Sequence, residues 1–121
     1  MHAHNDEPLG IVEPEFVDLA AEVFTLLSDP TRIRILLELD RAGELAVGEL
    51  AAALEKPRTG VSQHLARLRM ARMVTTRHEG TKVLYALVDE HPVRVIAEAV
   101  RQAEHTVADG TQPPRHHRPQ A

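Results

Sequence analysis

The pattern of residues 44–88 constrains the fold of this chain more strongly than any other part of the sequence. Apolar residues at helical spacing predict a short helix that ends before Pro57: Val47, Leu50, Ala51 and Leu54. Val61, Leu65 and Leu68 recur at i, i+4 and i+7 and predict another helix over about residues 58–70. Two predicted strands follow, at 73–78 and 82–88, joined by a loop of Glu79, Gly80 and Thr81. A helix, a tight turn, a second helix and a hairpin predict a winged helix-turn-helix fold.

Three further helices are predicted around this unit. A helical stripe defines the first of them: Phe16, Leu19, Ala20, Val23, Phe24 and Leu27. The second begins with Asp29 as its cap and Pro30 in its first turn. This helix is apolar on most sides and should therefore be central in the domain. Its apolar residues are Ile33, Ile35, Leu36, Leu37 and Leu39. The last helix, over about residues 90–107, is expected to bury Val93, Ile96, Ala97, Val100 and Val107.

The length of 121 residues and the apolar fraction of 43% fit one mainly α domain with a small β-hairpin. The only aromatic residues are Phe16, Phe24 and Tyr85, so the core must be aliphatic. A domain of this size is small enough that a partner subunit would help its stability. The folded domain is predicted at residues 14–108, between a flexible N-terminal segment (1–13) and a flexible, His-containing tail (109–121).

Composition excludes several classes of protein. No apolar run approaches the roughly 20 residues that span a bilayer, and the polar N-terminus has no basic-then-apolar signal segment. The chain has no Cys, so it holds no disulfide and no thiolate metal site. It also lacks the motifs of a nucleophilic, phosphate-binding or metallohydrolase enzyme. We therefore expect a cytoplasmic protein that is not an enzyme and has no membrane partner.

Basic residues are concentrated in the helix-turn-helix and hairpin region, although the whole chain carries a formal net charge of −4. Residues 56–82 hold seven Lys and Arg against one acid, a local charge of +6. Residues 1–55, by contrast, carry a local charge of −9. A net-acidic chain with one basic block is suited to presenting that block to an anionic partner.

The side chains of the predicted motif indicate that this partner is double-stranded DNA. In a winged helix-turn-helix, the second helix of the motif lies in the major groove. Thr59, Ser62 and Gln63 on its polar face can hydrogen-bond base edges. His64 is also expected to face the DNA. Phosphate contacts are expected from four basic residues, Lys56, Arg58, Arg77 and Lys82. The alternative is a solvated helix face whose arginines pair with acids elsewhere.

Two segments resemble the ArsR/SmtB family of metal-sensing repressors. One resembles the family's second-helix signature: Ser28-Asp29-Pro30-Thr31-Arg32-Ile33-Arg34-Ile35-Leu36. The other resembles its recognition helix: Val61-Ser62-Gln63-His64-Leu65-Ala66-Arg67-Leu68-Arg69. The resemblance covers about residues 16–107. It implies a homodimer whose first and last helices form the interface, and repression of an operator that bound ligand relieves. Ala46 and Gly48 stand where some members have a Cys-Val-Cys box, which excludes arsenic, cadmium or lead sensing by that route.

Histidines are concentrated at the C-terminal end of the chain, where four of the eight lie: His91, His105, His116 and His117. His91 and His105 are fourteen residues apart and therefore share one face of the last predicted helix. At 1.5 Å per residue they are about 21 Å apart, too far to bind the same ion within one chain. An antiparallel pair of these helices related by two-fold symmetry would bring His91 of one chain beside His105 of the other. A shared metal site must then be intersubunit, with two sites per dimer.

The resemblance extends to a ligand set. Asp89 and His91 match the Asp-x-His start of the family's site on this helix, but Gln102 stands at one expected His position. The remaining residues look like the set of nickel/cobalt sensors in the family, which use a Glu-His pair and a His-His pair in the tail. Carried over, the ligands are Asp89, His91, Glu104, His105, His116 and His117. A set of nitrogen and oxygen donors suits octahedral Ni(II) or Co(II) better than tetrahedral Zn(II).

Several alternatives stay open at this point. Asp89 is expected either as a ligand or as the cap of the last helix. His2 and His4 resemble N-terminal ligands of another nickel sensor in the family, but a retained Met1 would spoil the usual spacing. The effector is Zn(II) instead of Ni(II) or Co(II) in one alternative, and some other signal in a second. In a third, the chain is a metal-binding dimer that does not act on DNA.

Overall fold

The computed structural model describes residues 8–110 and has the predicted winged helix-turn-helix architecture, mainly α with a β-hairpin. Residues 1–7 and 111–121 lie outside the described part, and with them the predictions for His2, His4, His116 and His117. Within residues 8–110, no helix is both long and apolar enough to cross a membrane. The elements are α1 (Pro14–Leu27), α2 (Pro30–Ala42), β1 (Leu45–Ala46), α3 (Val47–Leu54), α4 (Arg58–Met70), β2 (Val74–Glu79), β3 (Lys82–Leu87) and α5 (His91–Ala108).

Helix α2 is the centre of the domain, as its apolar sequence predicts. The Asp29 carboxylate accepts hydrogen bonds from the backbone N–H groups of Thr31 and Arg32, at 2.8 and 3.1 Å. These bonds cap the helix where Pro30 starts it. The helix contacts α1, α3, α4, α5 and β3, and its buried side chains are Ile35, Leu36 and Leu39.

The turn between α3 and α4 sets the direction of the fourth helix. Glu55 ends α3 in the left-handed conformation, with φ of 58°, and Lys56 N–H closes the turn on the Ala51 carbonyl at 3.0 Å. Pro57 then precedes α4. The inner side of α4 is fully buried through Val61, Leu65 and Leu68. This confirms the predicted spacing and leaves Thr59, Ser62 and Gln63 exposed on the other side.

The sheet differs from the prediction in two respects. Glu79 pairs with Lys82, so the hairpin loop has two residues, Gly80 and Thr81, and not three. Gly80 has a φ of 64°, which glycine adopts without strain in such a turn. The second difference is β1, which pairs antiparallel with β3 through Leu45 and Tyr85. The hairpin is therefore part of a three-stranded sheet in the order β1-β3-β2.

Large apolar side chains remain exposed on α1 and α5. Phe16 and Phe24 on α1 are 56% and 61% exposed. Ile96 on α5 is buried as predicted, but Val100 and Val107 are 43% and 58% exposed. Val100 and Val107 are therefore not buried within the single chain, and they lie on the last helix, which is expected to form part of a dimer interface.

Candidate nucleic-acid interface and metal-ligand positions

Three of the four predicted phosphate contacts line one open groove. Lys56 and Arg58, at the start of α4, and Lys82, at the start of β3, meet across a volume of about 900 Å³. Helix α3 forms the floor of this groove and contributes the acids Glu49 and Glu55 to its lining. Within residues 8–110, Lys56, Arg58 and Lys82 form no ion pair. Their charges are therefore available to an anion that enters the groove beside α4.

Arg58 is held against the backbone of α3. Its guanidinium lies so close to Gly48 that a Cβ at this position would overlap it. Gly48, the second residue of α3, therefore leaves the space in which the Arg58 side chain lies along the groove.

Arg77, the fourth predicted phosphate contact, is placed differently from the other three. Its guanidinium donates two hydrogen bonds to the Glu44 carboxylate, Nε to Oε2 at 2.6 Å and an Nη to Oε1 at 2.9 Å. This fork joins β2 to the turn before β1. It lowers the pKa of the Glu44 carboxyl, so the pair persists at neutral pH and is lost only as the pH falls through that lowered value. For Arg77, the structure shows the alternative considered from the sequence, pairing with an acid elsewhere.

The two basic positions of the hairpin should differ in a salt titration of DNA binding. Replacing Lys82 by Ala should lower the slope of log K against log salt concentration by about 1, because one phosphate contact is lost. Arg77→Ala should change the slope much less, because Glu44 already neutralises that charge. Arg94→Ala is the matched control, since Arg94 pairs with Glu90 on α5 at 3.2 Å. Equal slope changes for Lys82→Ala and Arg77→Ala would show that DNA displaces Glu44 from Arg77.

His64 also differs from its predicted placement. It lies on the side of α4 that faces α2, with 24% of its side chain exposed. Its Nδ1 accepts a hydrogen bond from Arg32 Nε at 3.0 Å, and its Nε2 lies 4.0 Å from Asp29 Oδ1. Burial alone would raise the pKa of Asp29, but the N–H groups of Arg32 and Thr31 outweigh this and lower it. His64 thus belongs to a cluster of interacting side chains between helices, whereas Thr59, Ser62 and Gln63 lie on the exposed side of α4.

The predicted metal ligands lie at the two ends of α5. At the start, the Asp89 carboxylate accepts a hydrogen bond from the backbone N–H of His91 at 3.0 Å. The side chain of Glu90, the residue that precedes the helix, makes no such bond. Asp89 therefore has the predicted capping contact, and His91 has an exposed side chain. The cap uses one carboxylate oxygen, so it does not exclude a metal bond through the other.

At the other end of α5, His105 has a partner that the sequence reasoning missed. His105 Nε2 lies 3.1 Å from Asp109 Oδ2, one helical turn further on. Glu104 and His105 line a shallow depression on the same helix, which also includes Gln102. The i, i+4 spacing of His105 and Asp109 is the signal that could have identified this pair. Within residues 8–110 of a single chain, no three His, Asp or Glu side chains come together in a metal-binding arrangement.

An exposed helix with an apolar inner side, a basic groove beside it and a hairpin define a winged helix-turn-helix DNA-binding protein. The family described as "Bacterial regulatory protein, arsR family" matches residues 29–76. The chain is 50% identical over 103 residues to the HTH-type transcriptional regulator KmtR of Mycobacterium tuberculosis. That alignment covers 84% of this chain and 75% of the relative. The chain belongs to the ArsR family of bacterial regulatory proteins.

Solved structures agree with this assignment. The AntR antimony-specific transcriptional repressor has a TM-score of 0.72 and 28% identity, over 86% of this chain and 92% of the other. The second structure is a homodimeric winged helix-turn-helix DNA-binding domain from Mycobacterium bovis, described as "a possible ArsR-family transcriptional regulator". It has a TM-score of 0.62 and 28% identity, over 92% of this chain and 99% of that domain. KmtR and AntR are regulators of transcription, and the family is one of DNA-binding regulatory proteins, not of enzymes.

Proposed function

We propose that this protein is a metal-responsive transcriptional repressor that acts in the cytoplasm as a homodimer. In this proposal the dimer binds operator DNA and is released when Ni(II) or Co(II) binds at intersubunit sites on α5. The observation that carries the proposal is the groove beside the exposed face of α4, where Lys56, Arg58 and Lys82 form no ion pair within residues 8–110.

Two sets of contacts support the DNA-binding part. Thr59, Ser62 and Gln63 project from the exposed side of α4, where short polar side chains can reach base edges in a major groove. Lys56, Arg58 and Lys82 flank that side and can contact the phosphates that position the helix. Base contacts would then specify the sequence, and the groove would supply most of the salt-dependent affinity.

The exposed apolar side chains of α1 and α5 support the dimer. Monomeric soluble proteins rarely expose large contiguous apolar patches, and such patches mark interfaces. A second copy of this chain is the occupant we propose, because the Mycobacterium bovis relative is a homodimeric winged helix-turn-helix domain. The surface would include Phe16, Val17, Leu19, Phe24, Val100 and Val107.

Within one chain, the side chains of α5 supply only some of the ligands that a metal ion needs. His105 Nε2 and Asp109 Oδ2 lie 3.1 Å apart, close enough for both to bind one ion. Further ligands must come from elsewhere.

The further ligands we propose are Asp89 and His91 of the partner subunit together with Glu104, His116 and His117. All of these donors are nitrogen or oxygen, since the chain has no Cys. Such a set favours octahedral Ni(II) or Co(II), with four-coordinate Zn(II) as the alternative effector. A bound ion would join the start of one α5 to the end of the other and restrict the two α4 helices to one relative orientation.

The direct test is binding to a duplex recovered by the protein from a randomised pool, titrated with nickel, cobalt and zinc salts. We expect the metal-free dimer to bind and nickel or cobalt to weaken binding, with a coupling of about 1–3 kcal/mol. The cobalt-loaded protein should show the weak absorption of five- or six-coordinate Co(II). Release by zinc alone, with an intense tetrahedral cobalt spectrum, would favour the zinc-responsive alternative. Failure to prefer any duplex would reject the repressor function.

A further inference from the structure

The side chain of Arg32 joins three helices of the domain. Its Nε donates to His64 Nδ1 on α4 at 3.0 Å, and one Nη donates to the Leu26 carbonyl of α1 at 3.2 Å. Its backbone N–H donates to the cap residue Asp29 of α2 at 3.1 Å. We call the group of Asp29, Arg32 and His64, with the Leu26 carbonyl, the Arg32 joint. Among residues 8–110, Arg32 is the only residue whose side chain hydrogen-bonds to two other helices.

We propose that His64 is a positioning residue, which through Arg32 sets the orientation of α4 and does not itself contact DNA. This inference rests on the proposed DNA-binding function. The buried side chains through which α4 packs on the domain are apolar: Val61, Leu65 and Leu68. Apolar burial is non-directional, so a directional hydrogen bond adds a constraint on the orientation of the helix beyond that of packing. A hydrogen bond from a guanidinium is directional and roughly twice as strong as a neutral one.

The position of His64 in the sequence makes this orientation important for recognition. His64 directly follows Ser62 and Gln63, which lie on the exposed side of α4. Successive residues in a helix are separated by about 100°. Fixing the His64 imidazole against α2 therefore fixes the direction in which Gln63 projects. Nδ1 of His64 accepts the hydrogen bond from Arg32, so the imidazole is engaged with α2 within the domain.

The same guanidinium connects α4 with α1. Leu26 lies in the last turn of α1, and Phe24, two residues earlier, belongs to the apolar surface that we assign to the dimer interface. The Arg32 joint therefore gives the recognition helix a polar contact with the helix that meets the partner subunit. The two α4 helices of a dimer must reach successive half-sites about one DNA turn apart with matching orientation. A contact that fixes each α4 relative to α1 would help to meet this requirement.

The test uses three replacements of His64 with different hydrogen-bonding groups. His64→Ala removes the acceptor, His64→Asn places Oδ1 near the position of Nδ1, and His64→Gln extends its acceptor toward the position of Nε2. Against the duplex recovered from the randomised pool, we expect His64→Ala to lose about tenfold in affinity. His64→Asn should recover most of that loss and His64→Gln should recover less. Against a scrambled duplex of equal length, all three should stay within about twofold of the wild type.

A double-mutant cycle separates positioning from direct contact with DNA. In an Arg32→Ala background, His64→Ala should cause no further loss, because both substitutions break the same contact. If His64→Ala costs the same factor in both backgrounds, His64 acts independently of Arg32 and the inference is overturned. A wild-type protein with no sequence preference would instead reject the proposed function. These two failures are distinguishable in one experiment.

A measurement without DNA keeps the inference testable if a variant is unstable. In the wild type, the Nε–H resonance of Arg32 should be protected from exchange by its hydrogen bond to His64. The resonance should shift and lose protection in His64→Ala but keep both features in His64→Asn. An Arg32 resonance that is the same in the wild type and in His64→Ala would show that the contact does not form, and would overturn the inference.

Discussion

Mixing His91→Ala chains with His105→Ala chains should restore metal binding that neither variant shows alone, with one metal ion per mixed dimer. Each proposed site takes His91 from one subunit and His105 from the other. The homodimer of either single variant therefore lacks one ligand at both of its sites. In a mixed dimer both lesions fall in the same site, and the second site keeps His91 from one chain and His105 from the other. Random exchange of equal amounts should make about half of the dimers mixed.

The measurement is nickel stoichiometry by calorimetry, before and after subunit exchange is confirmed by mass spectrometry. His78→Ala is a matched control, because His78 lies on β2, away from α5, and its loss should leave two metal ions per dimer. Both single variants should keep their affinity for the selected duplex and lose its response to nickel. No gain of metal binding in mixed samples would show that the site is not shared between subunits.

The recognition helix could be predicted from the sequence because its determinants are local. Val61, Leu65 and Leu68 recur at helical spacing, and Pro57 marks the end of the preceding turn. The helix observed at Arg58–Met70 has the predicted bounds. The Asp29 cap is equally local, since its partners are two and three residues away. Contacts within one helical turn leave a signature in residue order, and such signatures are reliable.

The interactions that proved unpredictable join residues that are distant in the chain. Glu44 and Arg77 are 33 residues apart, and Arg32 and His64 are 32 apart. Strand β1 has only two residues and exists because β3 pairs with it. Each depends on how the helices bring the partners together, which periodicity does not reveal. As a result, two of the predicted DNA contacts, Arg77 and His64, have hydrogen-bond partners within the domain that the sequence did not reveal.

The metal-ligand predictions depend partly on spacing within one chain and partly on the arrangement of two chains. Spacing along one helix placed Asp89 and His91 at one end of α5 and His105 at the other, and the helix His91–Ala108 has the length that this requires. The Asp109 partner of His105 was overlooked, although its spacing is local. In the proposed dimer a second chain joins the two ends, and we expect the apolar surfaces of α1 and α5 to set its arrangement. The intersubunit site is therefore a prediction about the dimer, and the interface must be tested together with it.

Replacing Phe24 by Glu should turn the dimer into a folded monomer and weaken binding to the selected duplex by about a hundredfold or more. In the single chain Phe24 is 61% exposed, so its loss should cost the monomer little of its core. In the dimer a carboxylate at this position would be desolvated in an apolar interface without a partner, which is strongly unfavourable. The two α4 helices would then bind DNA as separate units. They would lose the gain in affinity that linkage provides, about 10²–10⁴-fold.

Sedimentation equilibrium and thermal unfolding together check this prediction. Met70→Glu is a matched control for oligomeric state, because Met70 is 83% exposed at the end of α4, outside the proposed interface, and the variant should remain a dimer. The Phe24→Glu monomer should still bind scrambled duplex at low salt, because Lys56, Arg58 and Lys82 are unchanged. It should also bind nickel weakly, because a monomer cannot combine His91 of one chain with His105 of another.

A Phe24→Glu protein that sediments as a dimer at wild-type concentrations would place the interface away from α1. The intersubunit metal site would then lose its structural basis, because the two-fold pairing of α5 depends on that surface.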